Sequence, residues 1–175
     1  MGAALRGARL VGIDLSHAIL TNADLSEADL SRAKLDSALL EGAKLDGATL
    51  TRASLGEANL TGASLSKAQA RECQAAKANF TNANLEGADF RRANLKGALL
   101  QGACATELDA REVDLAGGDL SRAKLERASL RNSTLTGAIV IDAIFADADL
   151  RDADLRDVKP EGALQGANLT RARRA

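Results

Sequence analysis

The sequence predicts an all-β solenoid, a chain that bends after every five residues and stacks coil upon coil. Three observations predict it. Leucine stands at every fifth position from Leu5 to Leu65, and the register continues with few lapses to Leu155. Two residues before each centre comes a small side chain, nearly always alanine, as at Ala23, Ala58 and Ala83. Two residues after many centres comes glycine, as at Gly7, Gly42, Gly62 and Gly97.

Each observation assigns one part of the repeat. A helix cannot use this period: at ~100° per residue, successive leucines would stand about 140° apart and form no face. A plain strand fails as well, because its side chains alternate and an odd period throws successive leucines to opposite sides. A bend after each pentapeptide restores one inward direction for centre and small site together. The glycines fall where that bend has to be.

Stretches such as Ala23-Asp24-Leu25-Ser26-Glu27 and Ala83-Asn84-Leu85-Glu86-Gly87 match the signature A(D/N)LXX. On these residues the chain resembles the pentapeptide-repeat proteins, over residues 3–157. The resemblance implies a right-handed quadrilateral β-helix of roughly twenty residues per coil, hence about eight coils. Stacked at ~4.8 Å, they make a rod on the order of 38 Å long.

Irregular centres agree with a twenty-residue coil. Phe90 lies twenty residues from both Ala70 and Ala110, so a large ring would stack between two small neighbours and conserve volume. Within single repeats, Ala110 is paired with Leu108 and Ala75 with Cys73 at the small site. Ala105 has no such partner, and a slight bulge is expected from Cys104 to Val113. Near the end Pro160 takes the centre after Leu155, and Leu169 comes one residue early. The expected division is therefore a β-helix over residues 1–158 and an irregular terminal coil with a basic tail over 159–175. Repeats start at Ala3 with no amphipathic helix before them, which would leave stacked edges open and favours self-association.

Charge is dense but balanced, 23 basic against 24 acidic residues for a net -1, so nucleic-acid binding is disfavoured. No apolar run reaches the ~18 residues of a membrane span and no leader precedes the repeats, so a cytoplasmic protein is expected. Two cysteines, Cys73 and Cys104, make no disulfide framework and are expected to be reduced. The single histidine, His17, falls at an outward turn, and no metal-ligand spacing, nucleophile triad or phosphate-cradling glycine loop exists. Neither an enzyme nor a cofactor is expected.

Function must then lie on the outward residues. Read at twenty per coil, one line carries a basic ladder of Arg71, Arg91, Arg111, Arg131 and Arg151, interleaved with Asp89, Asp109 and Asp149. Its first reading is a self-neutralised surface, its second a stripe for phosphate or carboxylate. Another face is nearly uncharged and carries Ile19, Leu39, Leu99, Ile139 and Ile141, with Ile144 around the corner. This is the candidate face for a protein partner or a homodimer contact. The leading expectation is a non-enzymatic protein-interaction rod or scaffold. The alternative that the resemblance implies is a DNA-mimicking modulator of a type II topoisomerase (gyrase), as in quinolone resistance. Charge opposes a full mimic, because ~38 Å of DNA carries about 22 phosphate charges.

Overall fold

A computed structural model describes residues 3–159 and 164–174. Every bridge in it is parallel, and the register is that of a coil twenty residues long. Ala4 pairs with Asp24, Arg9 with Asp29, Asp14 with Lys34 and Ile19 with Leu39, and the four columns continue upward in the same steps. Each pentapeptide thus gives one side of the coil. Because a two-residue turn follows each centre, no side pairs through more than one residue per rung.

The hydrogen bonds explain why the repeat has five residues. Around Leu60, three amides serve the ladder: Leu60 N–H donates to Asn79 O (2.7 Å), Gly62 N–H to Thr81 O (2.9 Å) and Asn59 N–H to Ala38 O (2.9 Å). Ala63 N–H closes the turn on Leu60 O at 3.0 Å. Only the residue just after the centre, Thr61, has an amide with no backbone partner. The Asn59 side chain accepts it, Oδ1 standing 3.1 Å from Thr61 N. Asp24 does the same for Ser26, Asn84 for Glu86 and Asp154 for Arg156. The Asp or Asn of the signature is therefore a cap for the one donor that ladder and turn leave unused.

At each corner the second turn residue has a positive φ. Glycine takes it without a Cβ penalty at Gly137 (φ 66°), but Arg122 stands there too (φ 58°). Nothing lies within 4 Å of a Cβ built on Gly137, so the cost of a side chain there is conformational alone. Arg122→Gly is expected to stabilise the protein by about 0.5–1 kcal/mol and Gly137→Ala to destabilise it by about the same. Urea unfolding of the two variants should shift in opposite directions.

Inside, the centres and small sites from Ala23 to Val158 are all buried, and most are wholly inaccessible. Phe90 is stacked between Ala70 and Ala110, and its ring meets Phe80 edge to face with centroids 5.9 Å apart. Ser133, the polar residue among the small sites, donates its hydroxyl to Leu130 O at 2.6 Å. Cys73 and Cys104 are free thiols, and burial pushes the Cys73 thiol up to about 12.

Two expectations are corrected. No bulge occurs between Cys104 and Val113: Cys104, Asp109 and Asp114 bridge in unbroken register to Lys124, Ser129 and Thr134. Leu108, buried at a small site, replaces the volume missing at Ala110 and Ala105. Nor does the regular path stop near Val158. Leu164, Leu169 and Arg174 take centre positions one residue early, and Asn168 and Arg173 bridge back to Asp149 and Asp154 with steps of nineteen. Deleting one residue from one side shifts the phase, and the following repeats resume stacking in the new phase. Pro160 lies outside the described residues.

Candidate binding faces

The arginine ladder runs along the corner after the second column of bridges, and its side chains fold back onto carboxylates. Asp89 is held by two of them. Its Oδ1 accepts Arg91 Nε–H (2.9 Å) and the Arg91 amide (3.2 Å), its Oδ2 accepts Arg91 Nη2 (2.8 Å), and Arg71 Nε closes on Oδ2 from the rung below. Asp109 repeats the fork with Arg111 at 2.8 and 2.7 Å, and Arg91 reaches it at 3.4 Å. Asp149 takes Arg151 at 2.8 and 2.6 Å. A second line of pairs, Arg52–Glu72 (2.7 Å) and Arg92–Glu112 (2.9 Å), runs beside the first. An open depression of ≈ 380 Å³ lined by Arg71, Glu72, Arg91, Arg92, Arg111 and Glu112 therefore presents charges that are already paired. Arg131 is the exception: its Nε is buried without a hydrogen bond, and Asp149 is 4.0 Å away.

Partial burial pushes the Asp89 carboxyl up, but the hydrogen bonds from Arg91 and Arg71 outweigh it and hold it at about 2, against an ordinary 3.8. A carboxylate whose folded value is depressed stabilises the fold above its unfolded value and loses that contribution as pH falls through the folded one. Melting temperature should therefore fall as pH drops from about 4 to about 2. Asp89→Asn is expected to flatten that limb while melting lower at neutral pH. Parallel acid limbs in the two proteins would count against this role.

On the nearly uncharged face the bridging column reads Ile19, Leu39, Asn59, Asn79, Leu99, Asp119, Ile139, Lys159. The aliphatics do not form one continuous patch. Ile19 (78 % exposed) adjoins Leu39, whereas Leu99 stands alone between Asn79 and Asp119. Ile139, Ile141 and Ile144, each 38–50 % exposed, gather at one corner toward the other end. Five rungs, about 24 Å, separate Leu39 from Ile139. Between the clusters runs a neutral hydrogen-bond chain: Thr81 Oγ1 donates to Gln101 Oε1 (3.0 Å), and Gln101 Nε2 to Asp119 Oδ2 (2.8 Å). Val11, 46 % exposed at another corner, went unnoticed in the sequence because a single apolar turn residue leaves no pattern.

His17 is exposed. Among the described residues no group of His, Cys, Asp or Glu is placed to hold a metal ion, and no helix is long and apolar enough to cross a membrane.

Comparison with known proteins points one way. The sequence profile described as "Pentapeptide repeats (8 copies)" matches residues 1–36, 38–73, 78–117, 111–145 and 119–157. The chain is similar to the crystal structure of HetL, a pentapeptide repeat protein involved in heterocyst differentiation regulation in the cyanobacterium Nostoc sp. strain PCC 7120. Identity is 32 %, TM-score 0.53, with 98 % of this chain and 82 % of HetL covered. It shares its fold with a trypsin-treated variant of QnrB1, a plasmid-mediated fluoroquinolone resistance protein, at 21 % identity and TM-score 0.55, covering 100 % of this chain and 91 % of that one. No curated protein matches the chain.

Proposed function

Because the chain belongs to the pentapeptide-repeat family, we propose that it is a non-enzymatic protein-interaction rod, cytoplasmic, that docks a macromolecular partner through its outer faces. We also infer that its solenoid is right-handed with about eight coils, as the family resemblance implies. The observation that carries the functional reading is the column from Ile19 to Ile139. It exposes aliphatic side chains beside a hydrogen-bonded neutral strip on a convex wall, whereas the neighbouring arginines are occupied by their own carboxylates. Such a surface offers desolvation to a flat protein partner and encloses no small molecule.

Cross-linking from positions beside Leu99 and Ile139 tests it. A protein adduct on wild type that disappears in Leu99→Asp/Ile139→Asp supports the reading, and retention of small molecules alone opposes it. Sedimentation of the same pair of proteins separates a homodimer from a foreign partner, since only the homodimer changes mass in the pure sample.

The topoisomerase reading draws on the acidic run Asp147, Asp149, Asp152, Asp154 and Asp157. Arg151 and Arg156 clamp Asp149 and Asp154, and Arg171 reaches Asp152 at 2.7 Å, so little of that charge is free to imitate a phosphate backbone. A gyrase supercoiling assay with a fluoroquinolone decides it: neither inhibition nor protection at micromolar protein removes the idea.

A further inference from the structure

The arginine ladder has one missing rung. Asp89, Asp109 and Asp149 stand at intervals of twenty or forty residues in one bridging column, and the position between the last two is Ser129. The backbone there is no different: Ser129 N–H donates to Leu108 O at 2.8 Å, as Asp109 N–H does to Ala88 O at 2.9 Å. Only the carboxylate is absent, while both arginines that would hold it remain.

The Asp89 rung shows what such a carboxylate does. One oxygen takes the amide and Nε–H of the arginine two residues on; the other takes Nη2 of that arginine and Nε–H of the arginine on the rung below. At the Ser129 rung the corresponding donors are the Arg131 amide, Arg131 Nε and Nη2, and Arg111. The Arg131 amide has no backbone acceptor, and its Nε is buried and unsatisfied. Arg131 is drawn toward Asp149 but stops 4.0 Å short, because Arg151 already occupies that carboxylate. A guanidinium nitrogen buried without an acceptor is costly, and one planar anion placed over Ser129 would satisfy it together with the amide.

We propose that the gap over Ser129, between Arg111 and Arg131, is a docking slot for a single carboxylate side chain, an Asp or Glu presented by a protein partner. Charge selects the carboxylate over a phosphate. Arg111 is shared with Asp109, so the slot offers about one uncompensated positive charge. Asp109, Glu112 and Asp149 around it repel a dianion. That the carboxylate comes from a protein rests on the reading of the rod as an interaction module; the slot itself does not.

Acetate tests the slot alone. In a ¹⁵N-labelled sample at constant ionic strength, the Arg131 Nε–H resonance should move saturably with sodium acetate, with a weak Kd on the order of 10–100 mM. Those of Arg91 and Arg151, already forked onto aspartates, should stay still. In Ser129→Asp the same resonance should begin shifted and no longer respond. Should that variant fold poorly, Arg131→Lys keeps the charge, loses the fork, and should also abolish the response. An Arg131 signal that ignores acetate, or follows chloride equally, overturns the slot. Tighter binding of inorganic phosphate than of acetate overturns its assignment to a carboxylate. Acetate binding with no protein adduct in the cross-linking experiment would leave the slot standing and sink the interaction module.

Discussion

Phe90→Ala is expected to lose about 3–5 kcal/mol of stability, the upper range for a truncated core aromatic. The reason is the column it belongs to. Most stacked centres here are leucine on leucine, and a shortened side chain could be covered by its neighbours above and below. Phe90 has Ala70 and Ala110 instead, both fully buried, so neither can reach into the space the ring leaves. The edge-to-face contact with Phe80 goes as well. The converse change should also harm: Ala110→Leu alone overpacks the ring and is expected to cost about 1–3 kcal/mol. Made together as Ala70→Leu/Phe90→Leu/Ala110→Leu, the three substitutions rebuild the ordinary leucine column and should return most of the loss. Urea unfolding of the series measures this, and additive losses in the triple variant would show that the column is not the unit of packing.

Removal of five residues, 41–45, is expected to be tolerated, whereas removal of three, 41–43, should abolish cooperative unfolding. All sides of the coil have the same inward pattern, so losing a whole pentapeptide joins Leu40 to Asp46 in phase and only rotates which faces lie above one another. The cost is roughly that of the leucine removed, about 1.5–3 kcal/mol. Losing three takes Gly42 (φ 61°) and Ala43, whose amide closes the turn on Leu40. Leu40, Lys44 and Leu45 then read in, out, in, which is a straight strand, and the coil is short of a corner. Circular dichroism during urea unfolding distinguishes the outcomes: one steep transition for the five-residue deletion and a shallow or absent one for the other.

The inward half of this protein was legible because it repeats. A leucine at each fifth position has one geometric solution compatible with a shared core, and the alanine beside it leaves room for nothing else. The signature Asp or Asn was legible as a motif but not as a cap, since which amide goes unpaired emerges only when three ladder bonds and one turn bond are assigned around Leu60. The expected bulge at Ala105 failed for a related reason: sequence counts volume within one repeat, while Leu108 fills space belonging to its neighbours. On the outside the columns could be read, but continuity could not. Asn59, Asn79 and Asp119 separate the aliphatics that a list of exposed residues joins together. The gap at Ser129 was visible as a substitution, and its meaning depended on seeing each aspartate shared by two arginines.

The uniform step of the bridges has a mechanical consequence. Pulled from its ends, a rod in which every rung is joined only to the next should come apart from a terminus one coil at a time. Each event would release about twenty residues, roughly 65 Å of extended chain, in place of ~4.8 Å of rod. Because each coil closes a loop of the same length wherever it lies, re-winding should begin on any intact coil at the same entropic cost. Such a body lengthens by an order of magnitude under load without losing the template from which it recoils.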